Sequence, residues 1–462
     1  MRAALPAPAW KMAPACAGAA RVALICINAA GDANTYRGAM DNPASAAAAR
    51  TAGALRSSAL VRLRRMGIDT YQSPVIYMRA DCGVCRSEGF EAQSRVEIRR
   101  GSDIIVATLN VMHDGLLAGD EAGLSEAAWR LLRAGEGDTA ELRHPDPLDS
   151  LSALRAKVYG SELNLAQLRG IVNDITAGRY SDLELAAFVT ACAGARMSLA
   201  ETVALTRAMV DAGETLRWPH AQVVDKHCIG GLPGNRTTPI LVPIVAACGL
   251  CIPKTSSRAI TSPAGTADVL ETMTAVELDL PTLRRVVEAE GGCLAWGGSV
   301  ALSPADDALI RVERPLDFDS ESQVVASVLS KKIAAGATHV LIDIPVGPTA
   351  KVRSAAAAQV LSRRLLEVGR ELNISVTPLF TDGSQPVGRG IGPALEARDV
   401  LAVLRAEPGA PRDLRERALQ LAAQVLELSP EIARGQGMAR ARAALDSGVA
   451  WNKFLAICRA QG

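Results

Sequence analysis

After Pro147, apolar side chains recur every three to four positions: Leu163, Leu165, Leu168, Ile171 and Val172, then the run 182–192, then the run 199–210. That period puts each set on one face of a helix, so the pattern predicts three helices with short connections, packed as a bundle. Upstream, over about 59–144, the period drops to two. SPVIYMRA, SRVEIRR and SDIIVATLNV alternate apolar with polar between turn residues and predict a small β-rich domain. Nothing in that domain looks catalytic, and His113 reads as an ordinary turn-edge histidine. Downstream, a strand-like piece at 221–224 leads into a glycine-rich loop. The apolar run 240–252 follows, interrupted by Pro243 and shorter than the ~20 residues of a membrane span. The layout there is strand, loop, buried helix. The Ala-rich residues 1–58 keep neither period and predict a disordered extension. The expected organisation is therefore 1–58 extension, 59–147 β-rich domain, 148–214 helical domain and 215–462 α/β domain, some later helices returning to the helical part.

Composition narrows the chemistry. Of 462 residues, 50 are basic and 49 acidic, a formal net charge of +1 that offers no global field for nucleic acid or an anionic membrane. Any anion must be held locally. Aromatic residues are 3% of the chain, so its cores are packed with Ala, Val, Leu and Ile. Ten cysteines are scattered, several in apolar runs, which is not a disulfide framework and points to the cytoplasm. Cys82 and Cys85 form a C-x-x-C pair, but a structural zinc needs four ligands and the sequence supplies two, so reduced thiols are the better reading.

Two polar loops carry the candidate chemistry. VDKHCIGGLPGNRTT (224–238) sets Lys226 and His227 before glycines that let backbone N–H groups turn toward an anion. It lacks the lysine placement of a nucleotide P-loop. KTSSRAITSPAGTAD (254–268) supplies hydroxyls and two cations before a helical stretch. Each loop alone could simply cap a helix; two ahead of buried helices point to a phosphate site.

These loops, with AWGGSVALSPADD, SVLSKKIAAG and TDGSQPVGRGIG in the same order, resemble the thymidine/pyrimidine-nucleoside phosphorylase family. Residues 145–462 carry the resemblance, closest to the second subgroup, which includes AMP phosphorylases. It implies an α/β fold with a helical bundle domain and an α/β phosphate-binding domain. It also implies a homodimer, no metal and no organic cofactor, with inorganic phosphate and a nucleoside or nucleotide as the small-molecule partners. A C-terminal hammerhead-like domain usual in the family is not expected here. The implied reaction is attack of phosphate on C1′ with expulsion of the base.

By the same resemblance, Lys226, Gly230, Gly231, Ser256 and Thr266 hold phosphate. His227 assists the leaving base and Asp319 matches a proton donor. Gly231, Ser257, Arg258, Ala259, Ile260, Thr261, Ser262, Thr266, Ser327, Lys331 and Lys351 match substrate-binding positions. A structural histidine and a helix N-cap are the plain alternatives for His227 and Asp319. Arg311 and Arg314 both remain open as the arginine that grips the base. Cys228 departs from the serine of the pyrimidine enzymes. The expected substrate is thymidine, giving thymine and 2-deoxy-α-D-ribose 1-phosphate. A nucleoside 5′-monophosphate is the alternative, with Asn235, Arg236, Thr237, Thr238, Arg258 and Lys351 as its second anion site. A non-catalytic binding protein is opposed by the presence of Lys226, Asp319 and the hydroxyl loop; a magnesium-dependent phosphoribosyltransferase is opposed by the lack of a clear acidic pair.

Overall fold

The structure is a computed structural model that describes residues 59–113, 115–232, 236–259, 264–316 and 320–462. The expected N-terminal extension, Asn235, Ile260, Thr261, Ser262 and Asp319 lie outside the described residues.

The period-two runs close into a barrel. Its strands are β1 (Ala59–Arg65), β2 (Val75–Arg79), β3 (Arg95–Arg100), β4 (Asp103–Met112), β5 (Glu121–Leu124) and β6 (Thr139–Arg143), in spatial order β1-β5-β2-β4-β3-β6. Alternation fills the inside with Val61, Leu63, Ile76, Met78, Val96, Ile98, Leu109 and Leu142 and leaves charged side chains outside. Cys82 caps the short helix Gly83–Glu88 by accepting from the Cys85 amide, and both thiols are free and buried.

Four helices follow: Ser150–Val158, Leu165–Thr176, Asp182–Cys192 and Leu199–Asp211. The last three each begin with a capping box, Asn164 with Gln167, Ser181 with Glu184 and Ser198 with Glu201. The cap side chain satisfies an orphan amide at one end of the box and the Gln or Glu returns the bond at the other. Their apolar faces share one core with Ala305, Leu309 and Val312 of the helix Pro304–Leu316 and Ala326 of the helix Glu321–Ala334.

The remaining chain forms the α/β part. Parallel strands β7 (Val224–Cys228), β10 (His339–Val346) and β11 (Ser375–Asp382) run in the order β11-β10-β7; β8 (Ile252–Ser256) pairs with β9 (Gly292–Trp296), also parallel. A single bridge, Val223 to Cys251, joins the two sheets. β7 therefore lies between β10 on one side and β8 on the other, and chain order reverses across it. In α/β sheets ligands bind outside the carboxyl ends of strands at such a switch point. Those ends here are Cys228, Ser256 and Val346.

Candidate active site

The sequence pattern stops the first strand of this region at residue 224, but in the structure β7 begins there and runs through Cys228. Asp225, Lys226 and His227 thus stand on the strand itself, before the loop. A buried strand tolerates these charges because its neighbours supply partners. Asp225 accepts from Lys332 Nζ at 2.6 Å and lies 3.4 Å from Lys254 Nζ. Lys226 Nζ donates to Thr237 Oγ1 at 3.1 Å and lies 3.4 Å from Asp343, which in turn accepts from Thr381 Oγ1 at 2.6 Å. All five charged residues are buried. Three ammonium groups meet two carboxylates.

Beside this cluster the Ser256 hydroxyl is buried with no hydrogen-bond partner among the described residues. Burial first, then the ammonium groups of Lys332, Lys254, Lys331 and Lys226, holds His227 well below the usual histidine range, so its imidazole is neutral at physiological pH. Burial also draws Lys254 down to about 7, against the attraction of Asp225. The Cys228 thiol is pushed up to about 12, chiefly by burial and then by Asp343, and is inert.

Two cavities meet at His227, Ser257, Arg258, Thr266 and Lys331. The larger, about 420 Å³, is bordered by Lys226, Lys254, Thr255 and Ser256 and by Ala259, Trp296 and Asp307. The smaller, about 200 Å³, is bordered by Gly230, Gly231, Ser327, Lys351 and Arg314. Every described residue that the resemblance marks thus lies on one or both. Two glycines make the loops possible. Gly231 has φ +91°, and a Cβ there would stand 2.2 Å from the Lys351 amide nitrogen. Gly265 packs against the other end of its own loop, where a Cβ would meet the Arg258 carbonyl carbon at 2.4 Å. Asp268 fastens that closure by accepting from the Ala259 and Gly265 amides, both at 2.7 Å.

On Lys331, burial works against the charge, but Asp306, accepting at 2.6 Å, and more distant Asp307 and Glu313 outweigh it and raise its pKa. Asp307 is open to the water of the larger cavity yet set deep in the cleft. Desolvation, then repulsion from Asp306, raises its carboxyl to about 6. The open choice between two arginines separates in space. Arg311 borders the larger cavity and donates to Asp182 at 2.8 Å and to the Gln72 carbonyl at 3.3 Å, whereas Arg314 borders the smaller cavity with Ser327.

Two cations of the expected second anion site, Arg236 and Arg258, border the smaller cavity and are paired with carboxylates. Arg258 donates to Glu271 at 2.6 Å and Glu277 at 2.9 Å, with Asp268 at 3.3 Å, and lies over the Trp296 ring. Arg236 is buried against Asp399 and Glu396. The carboxylates of Arg236 are distant in sequence, and those of Arg258 lie within 19 residues of it. Thr237 and Thr238 are buried at the start of the helix Thr238–Ala247.

Sequence reasoning missed Asp225, Lys332, Asp306 and Asp343 as parts of this site, and counted Lys254 only as a cation of the second polar loop. A signal existed for one of them: Asp343 interrupts the otherwise apolar strand HVLIDIPV, where an unpaired charge would be intolerable. The β-rich domain, in which nothing looked catalytic, brings Tyr71 and Gln72 to the larger cavity.

Residues 151–213 match the glycosyl transferase family helical bundle domain and residues 220–451 match the a/b domain of the same family. A protein of Polaromonas named "putative thymidine phosphorylase" is 65% identical over 402 residues, 87% of this chain and 79% of the relative. Proteins of the same name from Hahella chejuensis and Legionella pneumophila are 60% and 59% identical over 87% of this chain, covering 79% and 78% of their own lengths. The fold is shared with anthranilate phosphoribosyltransferase from Thermus thermophilus, at a TM-score of 0.57 and 19% identity over 67% of this chain and 99% of that one. With both of its domains matched and relatives this similar, the chain is a glycosyl-transferring enzyme and belongs to the thymidine/pyrimidine-nucleoside phosphorylase family.

Proposed function

We propose that this enzyme catalyses phosphorolysis of thymidine, giving thymine and 2-deoxy-α-D-ribose 1-phosphate. The observation that carries the reading is the buried excess of cationic over anionic groups at Lys226, Lys254, Lys332, Asp225 and Asp343, beside the unpartnered Ser256 hydroxyl. A buried charge imbalance is costly unless an anion completes it. Inorganic phosphate in the larger cavity does so, held by Lys226, Ser256 and Thr266.

A phosphate oxygen forms its bond to C1′ as the C1′–N bond breaks, and the bonding pair leaves with the base. Neutral His227 donates a hydrogen bond to the base as negative charge develops there. Lys331, whose charge Asp306 secures, holds the base from the side of the smaller cavity with Ser327 and Arg314. The attacking hydrogen phosphate becomes a dianionic ester, and the proton it gives up passes to the base, which leaves neutral.

A nucleoside 5′-monophosphate as substrate is the second reading, supported by Lys351 and Gly231 on the smaller cavity. Asp319, next in sequence to the cavity-lining Ser320, is the proton donor in that case. Neutralisation of Arg236 and Arg258 favours the uncharged 5′-hydroxyl of a nucleoside. Base release from thymidine, uridine, AMP, CMP and UMP, each with and without phosphate, separates the possibilities. Phosphate-dependent release of thymine is expected. Release at an unchanged rate without phosphate would overturn phosphorolysis, and a preference of about a hundredfold for a monophosphate would overturn thymidine.

A further inference from the structure

The turn between β1 and β2 is built to present one side chain. Asp69 Oδ1 accepts from the Tyr71 amide at 2.8 Å, Thr70 Oγ1 donates to the Ser73 carbonyl at 2.6 Å, and the Ser73 amide donates to the Thr70 carbonyl at 3.2 Å. These bonds hold Tyr71 at φ +61°, a backbone region that a bulky side chain rarely occupies. The turn is also tied from outside. Arg311, anchored on Asp182, donates to the Gln72 carbonyl, so the barrel is fastened to the helical bundle at this point.

For this strain Tyr71 gains no burial: 58% of it is exposed. What it does is border the larger cavity, the one that holds Lys226, Lys254, Thr255 and Ser256, and not its neighbour with Ser327, Gly231 and Lys351. A strained, unburied aromatic in a chain this poor in aromatics has no packing purpose. Its position at the mouth of the anion-completed chamber supplies one.

We propose that the β-barrel is a working part of the active site, and that the ring of Tyr71 is the outer wall of the phosphate chamber, favouring phosphate over water as the nucleophile. The inference rests on the phosphorolysis reading. Both nucleophiles attack the same C1′ and expel the same base; phosphate leaves a sugar 1-phosphate and water a free sugar. A ring across the mouth keeps bulk water from the reacting carbon and confines phosphate next to Lys226 and Ser256.

The test compares Tyr71→Gly and Tyr71→Phe with the wild-type chain. Glycine adopts φ +61° freely, so Tyr71→Gly is expected to melt at or above the wild-type temperature. Its KM for phosphate is expected to rise about tenfold, one side chain's worth of lost confinement, while its KM for the nucleoside stays within about twofold. The ratio of free sugar to sugar 1-phosphate formed is expected to increase. Tyr71→Phe keeps the ring and is expected to keep the wild-type phosphate KM. A Tyr71→Gly protein with unaltered phosphate KM and product ratio, or one that merely loses stability, would overturn the inference, as would a Phe variant as impaired as the Gly one. If the wild-type chain releases no base with phosphate, the phosphorolysis reading fails first and this inference with it. If the wild type does so and Tyr71→Gly matches it, only the inference falls.

Discussion

Two groups of buried or half-buried cations sit within the same cleft and answer their charges differently. Around β7, Lys226, Lys254 and Lys332 share two carboxylates among the described residues, Asp225 and Asp343. At the second polar loop Arg258 alone has Asp268, Glu271 and Glu277, and at the end of the first Arg236 has Asp399 and Glu396. The first group is short of negative charge and lines a cavity beside a spare hydroxyl. In the second, carboxylates outnumber the arginines, and the pairs hold loops in place. Cations alone therefore do not mark an anion site; the balance of counter-charges does.

Removing a cation from the unbalanced group should have the largest effect. Lys226→Ala deletes a charge-assisted partner of bound phosphate, a loss on the order of 1.5–3 kcal/mol, or roughly ten- to a hundredfold in phosphate use. It should also reduce stability, since buried Asp343 loses its cationic partner. Steady-state kinetics at varied phosphate, with melting curves to separate the two effects, check this. An unaltered phosphate KM with a changed base preference would move Lys226 to the other side of the reaction.

The carboxylate-rich group should respond more weakly and in stability alone. Arg258→Ala removes half-exposed ion pairs and a contact with Trp296, a loss of about 1 kcal/mol read by denaturant unfolding. Relative rates on thymidine and its 5′-monophosphate should not change. A selective loss of monophosphate cleavage would show that Arg258 exchanges its carboxylates for a substrate phosphate.

The smallest effect should come from Asp307, the carboxyl open to the unbalanced cavity. Folding raises its pKa to about 6, so the folded state binds its proton more tightly than the unfolded one. The contribution is present below the ordinary carboxylate range and is lost as pH rises through about 6. Asp307→Asn should therefore melt higher than wild type at pH 8, with the difference shrinking toward pH 4. A variant less stable than wild type at pH 8 would mean that Asp307 has gained an attractive partner that outweighs its desolvation.

Local pattern set much of this molecule. Period two in 59–144 became a barrel because alternate side chains must fill its inside, and the three-to-four spacing of 163–210 became helices whose starts Asn164, Ser181 and Ser198 cap locally. The order of the Lys226, Ser256, Ser327 and Lys331 motifs was enough to place the family. Only the tertiary structure decided which charges remain uncompensated. Asp225 meets Lys332, Lys226 meets Asp343 and Arg236 meets Asp399 across more than a hundred residues each, and a linear reading sees the cations without their partners. Tyr71 was illegible for the same reason. Its turn has an ordinary sequence, and what gives it a place in the cleft is Arg311, on a helix of another domain, reaching the Gln72 carbonyl. Charge and contact act through space, at distances the chain's order does not record.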